Sequence, residues 1–366
     1  MSKARQLADL GNQVDDGAIT GTNMIINGAM IISQRGVSAT GVTTNGYYVC
    51  DRWQNRTGSA GTGQESTHQQ STEAPDGFNY SYKISCTTAD PSPVGSENEV
   101  LGYKLEGYDL SQLGYGTSYA KPLTLSFWVK STVTGDYGIQ FIQALGSTDN
   151  SALKSYTINT ASTWEYKTIT LEGNTAESMI TDNTLGMSIL FHLACGPDDQ
   201  TSAYDWTAQS SFRSITGQAN VFASTSDTWQ ITGVCLNVGD SAIDFPHESY
   251  GDTLAKCQRY FEKIQQEGAR YKVVGSGVVR GGNSYFPIYT KVQKRTSPTL
   301  SASAKFRVLD GSSTTNNKSI NEFFEPYSYG VRARISVSGL TSGNGMWVEF
   351  DAANSTDGYI HFDAEL

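Results

Sequence analysis

Long apolar runs are missing from this 366-residue sequence. No stretch approaches the roughly 20 apolar residues of a membrane-spanning helix, so we expect no membrane insertion. The opening residues, MSKARQLADLG, also lack the apolar centre of a secretory signal peptide. The sequence therefore predicts a chain that folds in the cytoplasm where it is made.

Charged residues are scarce, at 17% of the sequence, and acidic ones outnumber basic ones to give a formal net charge of −10. A nucleic-acid surface needs clustered Lys and Arg side chains to neutralise phosphates. We therefore expect no nucleic-acid partner.

Recognisable metal and redox motifs are also absent. The five cysteines include no C-x-x-C pair, and the four histidines form neither H-x-x-x-H nor H-E-x-x-H. Neither a disulfide framework nor a zinc site is expected, and no cofactor is predicted. Calcium held by loop carboxylates stays open, although no D-x-D-x-D-G loop is present.

Catalytic motifs are equally hard to find. No G-x-S-x-G elbow occurs, and GSGVVRG (275–281) has the wrong spacing for a dinucleotide loop, so we predict a β-turn there. Two carboxylates distant in sequence would suffice for a glycosidase. The candidates, which we expect instead to be ordinary surface carboxylates, are Glu97, Glu99, Glu106, Asp109, Asp198, Asp199 and Asp205. No catalytic residue is predicted.

Short alternating segments separated by Gly, Asn, Asp, Ser and Thr are what the sequence does contain. In LTLSFWVKSTVTGDYGIQF (123–141), apolar residues alternate with polar ones on both sides of a polar turn. This pattern predicts a β-hairpin with one solvent-facing side. Many such segments predict an all-β fold, an antiparallel jelly-roll sandwich.

The organisation along the chain predicts four parts. Residues 1–22 form either an anchoring segment or a frayed terminus, and 23–250 form the sandwich. Residues 251–265 form a connecting helix because Leu254, Cys257, Phe261 and Ile264 share one helical face. Residues 266–366 return to strand patterns and form a smaller C-terminal β domain.

Aromatic residues supply the candidate ligand sites. Sugar rings stack their C–H faces on aromatic rings, while nearby polar side chains bind the hydroxyl groups. Two predicted loops, GPDDQTSAYDW and NEFFEPYSYG, combine such residues. The alternative is that these rings pack between subunits. The candidate glycan-binding residues are Tyr204, Trp206, Asn321, Phe324, Tyr327 and Tyr329.

Several segments together resemble phage tail-fibre and related tail proteins, including those of cyanobacterial phages. These segments include MIINGAMIISQRG, YYVCDRW, TWEYKTITLEG, ITGVCLNVG and FPHESYGDTLAKCQRYFEKI. The resemblance implies a virion tail location and a middle domain similar to the jelly roll of carbohydrate-binding modules. It also implies a homotrimer and contact with other tail proteins through residues 1–22.

We therefore predict a non-catalytic tail-fibre or tail-tip protein that binds a host-surface glycan during adsorption. A structural tail adaptor without its own ligand is one alternative. A depolymerase that cleaves surface polysaccharide is another. The host and the receptor sugar are not encoded in any motif that we find.

Overall fold

The computed structural model describes residues 22–58, 63–146, 148–209, 211–266, 268, 271–354 and 357–366. The predicted anchoring segment lies outside these ranges except for Thr22. The chain forms two compact units: the first unit runs to Thr253 and includes Leu366, and the second unit is Leu254–Glu365. In the described ranges, no helix has the length and apolar character needed to cross a membrane.

The first unit consists mainly of short strands. In chain order they are β1 (Ser38–Val42), β2 (Gly46–Tyr47), β3 (Trp53–Gly58), β4 (Glu65–Ser71), β5 (Ser81–Thr88), β6 (Asn98–Glu106), β7 (Leu123–Ser131), β8 (Gly135–Gln143), β9 (Asn150–Ile158), β10 (Glu165–Leu171), β11 (Leu185–Cys195), β12 (Gln200–Thr201), β13 (Tyr204–Ala208), β14 (Ser214–Ile215) and β15 (Thr228–Val238). A short helix, α1 (Gly107–Leu110), and two 3₁₀ turns, Ser111–Leu113 and Pro197–Asp199, interrupt them.

Two antiparallel sheets form the sandwich. One has the order β1-β4-β5-β15-β7-β10 and the other β13-β9-β8-β11-β6-β3-β2. Apolar side chains at alternate positions of the facing strands, such as Leu125, Phe127, Phe141 and Phe191, fill one buried core. The predicted antiparallel jelly-roll sandwich is confirmed.

The hairpin predicted over 123–141 is wrong. Its two halves are β7 and β8, which belong to opposite sheets and pair with other strands. Thr124 and Ser126, expected on the solvent side, are both 1% exposed. Both halves do direct alternate residues into the same core. An arch between two sheets therefore produces the same alternation as a hairpin within one sheet.

The second unit begins within a helix, α2 (Tyr250–Gln258), which is shorter than the helix predicted over 251–265. Residues 261–265 form a strand that pairs with Tyr359–Asp363. Phe261 is buried and Gln265 is exposed in this strand. The tertiary pairing of this segment thus overrides its helical spacing.

Strands make up the rest of the second unit. They are β16 (Phe261–Gln265), β17 (Val273–Arg280), β18 (Asn283–Tyr289), β19 (Thr299–Ala302), β20 (Phe306–Leu309), β21 (Thr314–Lys318), β22 (Glu322–Tyr327), β23 (Gly330–Ser336), β24 (Gly345–Phe350) and β25 (Tyr359–Asp363). They form a seven-stranded sheet, β21-β20-β24-β17-β18-β23-β22, and a three-stranded sheet, β16-β25-β19.

A separate core lies in the second unit, built from residues such as Phe286, Val331, Phe350 and Phe362. The predicted division into 23–250, 251–265 and 266–366 as separate domains stays a prediction.

Candidate ligand-binding site

The seven-stranded sheet of the second unit buries one face and exposes the other. In β18, Ser284, Phe286 and Ile288 are each at most 1% exposed. Residues between them point to the opposite side because side chains alternate along a strand. The same alternation in β23 buries Val331 and leaves Arg332 exposed.

Register places aromatic and basic residues side by side on this outer face. Tyr285 pairs with Arg334, and Pro287 pairs with Arg332. On the next strand, Phe324 pairs with Arg332. We call this surface the arginine–aromatic face and define it by Val278, Arg280, Asn283, Tyr285, Pro287, Phe324, Tyr327, Arg332 and Arg334.

These nine residues, with Gly281 and Phe286, line a shallow cavity of about 970 Å³. Its lining contains three arginines and no carboxylate side chain. Ligand pockets commonly combine apolar or aromatic walls with a few polar groups that fix orientation. This cavity has that composition.

The Phe324 ring supports two guanidinium groups. The Arg332 and Arg334 Cζ atoms lie 5.2 and 5.6 Å from its centroid. The Tyr285 ring centroid is 6.3 Å from that of Phe324, with the planes tilted by 40°. Cation–π contacts of this length are attractive and limit where the guanidinium groups move.

Carboxylates at the margin of the face pair with two of the arginines. Arg334 contacts Glu322 with an N–O distance of 3.0 Å, and Arg332 contacts Glu325 at 3.9 Å. Side chains in the second pair are 54% and 85% exposed, so this contact contributes little. Arg280 forms no ion pair with any residue in the part of the chain that the structure describes.

The predicted loop EFFEPYSYG is a strand and a turn. Residues 322–327 form β22, and Gly330 begins the paired β23. Pro326 lies where the register shifts between Phe324 and Tyr327, on an edge strand, so its missing N–H group costs no ladder hydrogen bond.

Only part of the predicted C-terminal site comes together. Phe324 and Tyr327 line the cavity, and Tyr327 is 43% exposed. Tyr329 is exposed but outside the lining, and its hydroxyl donates to Gln293 Oε1 at 2.8 Å. Asn321 Oδ1 accepts from the Ser336 N–H at 2.6 Å. Glycan binding by these four residues stays a prediction.

The two candidates in the sandwich lie on β13 of the first unit. The Trp206 indole donates to the Glu172 carbonyl at 2.7 Å, and its ring packs edge-on against Tyr115. The Tyr204 hydroxyl lies 2.9 Å from Ser151 Oγ. Both rings have packing roles within the first unit, and their ligand role stays a prediction.

Sequence reasoning missed Tyr285, Asn283 and all three arginines. The signal was present in NSYFPIY and VRARIS, where apolar residues alternate with Tyr or Arg. Alternation identifies the outward positions, but it does not show which strands are neighbours. The site therefore could not be assembled from single segments.

Another cavity, of about 520 Å³, lies in the first unit and includes Arg56, Asn98, Asp199 and Phe212. The Arg56 guanidinium lies 4.6 Å from the Phe212 centroid. Asp199 forms an ion pair with Arg213 and accepts a hydrogen bond from Asn98 at 3.4 Å. The Asp199 carboxylate and the Arg56 guanidinium are already engaged by neighbouring side chains, which makes this cavity a weaker candidate.

In the described ranges, no group of three His, Cys, Asp or Glu side chains is close enough together to bind a metal ion. The five cysteines are buried. Burial raises the pKa of the Cys235 thiol to about 12, so it is a poor nucleophile.

Comparison with known proteins gives only distant likenesses. No family model and no curated protein matches the chain. A family 11 carbohydrate-binding module of a Clostridium thermocellum cellulosomal cellulase is 13% identical, with a TM-score of 0.29, covering 57% of this chain and 98% of the module. A family 30 module from the same organism is 11% identical over 57% of this chain and 98% of its own, with a TM-score of 0.27.

A phage protein is also among the matches. The enzymatically active domain of bacteriophage CBA120 tailspike protein 4 is 14% identical, with a TM-score of 0.28, covering 59% of this chain and 21% of that one. At these identities and TM-scores, the likenesses assign neither a family nor a ligand to this chain.

Proposed function

We propose that this protein is a non-catalytic, glycan-binding phage tail-fibre or tail-tip protein that uses the arginine–aromatic face during host adsorption. The cavity of about 970 Å³ on that face carries the proposal. The half-buried ring of Tyr285 and the exposed ring of Tyr327 offer apolar surfaces to sugar C–H groups. Asn283 and the arginines offer hydrogen-bond donors to hydroxyl groups.

The carboxylates beside this cavity support binding without hydrolysis. A glycosidase needs a protonated acid and a second carboxylate roughly 5–9.5 Å from it. Glu322 is paired with Arg334 at the margin of the face, and the lining of the cavity contains no carboxylate. The absence of this carboxylate pair from the lining makes the depolymerase alternative less favourable at this face.

The tail role is supported by the sequence segments that resemble phage tail proteins. In this proposal, residues 1–22 connect the chain to other tail proteins, and the host-binding face belongs to the C-terminal part. A shallow site with two usable rings gives weak affinity per site, on the order of 1 kcal/mol per stacked ring. Presenting several copies on one particle would supply useful adhesion.

A structural adaptor without a ligand is the competing function. Tyr289 and Tyr329 are 65% and 54% exposed, and exposed tyrosines also serve subunit interfaces. Replacing Tyr327 and Tyr329 by Ala separates the two functions. The proposal predicts lower adsorption to host cells with unchanged oligomeric mass and melting temperature. Dissociation of the oligomer would instead identify these rings as an interface.

A glycan array tests the function even while the host is unidentified. The purified wild-type chain should bind a restricted group of glycans, and Tyr285→Ala should lose that binding. Tyr119→Ala is the matched control because Tyr119 is 84% exposed and belongs to the first unit. Equal losses in the two variants would contradict the proposed location.

A further inference from the structure

We infer that the glycan bound at the arginine–aromatic face is anionic, carrying carboxylate or sulfate groups. This inference rests on the proposed function and adds the chemical class of the ligand. The starting observation is that three arginines and no carboxylate line the cavity, in a chain whose formal net charge is −10.

The three guanidinium groups are distributed along the face. Arg332 and Arg334 lie two residues apart on β23, about 6.6 Å at the usual strand rise. In the register of the sheet, Arg280 of β17 lies opposite Asn283 of β18, and Asn283 lies opposite Ser336 of β23. Ser336 is the next outward residue after Arg334 on β23. The arginines thus span three adjacent strands, as an extended anionic chain would require.

The Phe324 ring positions Arg332 and Arg334 before a ligand arrives. Its centroid is within 5.6 Å of both guanidinium carbons, so the ring is occupied by cations. Phe324 therefore serves better as a support than as a sugar-stacking surface. Held guanidinium groups lose less conformational entropy when they form bidentate hydrogen bonds to an anion.

Local charge also favours an anion. The Arg332–Glu325 contact is long and exposed, and Arg280 has no carboxylate partner among the described residues. A neutral sugar hydroxyl accepts a hydrogen bond in which only the guanidinium donor is charged. A carboxylate or sulfate brings a charged acceptor as well, and its oxygens match the forked donor geometry of a guanidinium group. An acidic chain with a local arginine cluster would also repel most polyanions that do not fit the face.

Matched pairs of polysaccharides test the charge requirement. The immobilised probes are polygalacturonate beside its methyl ester, alginate beside carboxyl-reduced alginate, and dextran sulfate beside dextran. We expect binding to acidic members at least about tenfold tighter than to their neutral partners. That preference should decrease as NaCl rises, because salt screens exposed charges. The carboxylate and sulfate pairs show which anion is preferred.

Arg280→Gln is the informative variant because, among the described residues, this side chain stacks on no aromatic ring and pairs with no carboxylate. It should reduce the acidic preference several-fold while leaving the melting temperature unchanged. Arg280→Lys should retain part of that preference, since it keeps the charge but loses the guanidinium fork. Lys130→Gln, in the first unit, is the control for binding and should leave the acidic preference unchanged.

The outcomes separate this inference from the function it rests on. If the wild-type protein binds neutral glycans alone and Tyr285→Ala loses that binding, the inference of an anionic ligand is overturned. The proposed glycan-binding function is then retained. Binding to single-stranded DNA as tight as to polygalacturonate would show a general polyanion surface and overturn the sugar assignment. Binding to neither acidic nor neutral glycans would contradict both proposals.

Discussion

At the scale of single residues, Glu99 is a carboxyl group that is only 2% exposed within the sandwich. Gln64 Nε2 donates to Glu99 Oε2 at 3.1 Å. Burial nevertheless raises the pKa of Glu99 to about 8 because it penalises the charged form. The folded protein therefore holds this proton at a pH where the unfolded chain has released it.

The consequence is a stability that depends on pH. As pH rises from about 4.5 to about 8, the unfolded state loses the proton and the folded state keeps it, so the free energy of unfolding decreases. Glu99→Gln should remove this decrease, and its advantage over wild type should grow with pH over that window. Urea unfolding at several pH values measures it.

Two controls sharpen this measurement. Glu177→Gln alters an exposed carboxyl and should follow the wild-type profile. His68 and His192, whose pKa values burial lowers to about 3, reduce stability as pH falls below about 6.5. This loss of stability at low pH is expected equally in the wild type, Glu99→Gln and Glu177→Gln. A constant difference between Glu99→Gln and wild type at every pH would contradict the account.

A second residue-scale prediction concerns the ion pair of Lys294 and Glu262 in the second unit. The two side chains are 0% and 1% exposed, with 2.7 Å between Nζ and Oε2. Lys294→Met would leave Glu262 buried without its charged partner, at a cost of about 3–5 kcal/mol in unfolding free energy. Lys154→Met, in the exposed pair with Asp205, should cost no more than about 1 kcal/mol. Similar costs would contradict the burial argument.

At the scale of elements, β17 lies unusually close to β18. A Cβ atom on Gly277 would stand 1.9 Å from the Tyr285 carbonyl oxygen, and one on Gly275 would stand 2.6 Å from the Pro287 oxygen. Pairing between the two strands ends at Val278 and Tyr285, before Pro287. Glycine at 275 and 277 therefore permits the close approach of the two backbones. Pro287 lies beyond the paired residues, where β17 requires no hydrogen-bond donor from β18.

Gly277→Ala should accordingly be strongly destabilising, by about 2 kcal/mol or more, because backbone must move to relieve the overlap. Gly345→Ala is the matched control on the adjacent strand. A Cβ there meets no atom within 4 Å, and the residue pairs with Val278. Thermal unfolding of both variants measures the difference. Equal melting temperatures would show that β17 accommodates the methyl group.

Sequence patterns predicted where strands occur better than which strands pair with one another. Alternation correctly identified the core residues of β7 and β8, but did not distinguish an arch from a hairpin. Phe261 and Ile264 fit a helical face, yet strand pairing with β25 determines their conformation. Phe324 and Tyr327 were identified by residue type. Arg280 and Tyr285 required the order of strands, which depends on contacts distant in sequence.

At the scale of the whole molecule, the resemblance to tail fibres predicts a homotrimer. Residues 252–265, which form most of α2 and then β16, are expected at its interface together with the C-terminal part. Elongated β assemblies gain stability when subunits cover strand edges and exposed rings. Light scattering at micromolar concentration should give three times the mass of one chain. The mass of a single chain would contradict this prediction.

The most direct test of the central claim locates the ligand on the protein. Hydrogen–deuterium exchange should be measured with and without the glycan that binds most tightly on the array. The account predicts slower exchange in β18, β22 and β23, with no change in the sheets of the first unit. Protection confined to β8, β11 or β13 of the first unit would contradict it and place binding on the sandwich.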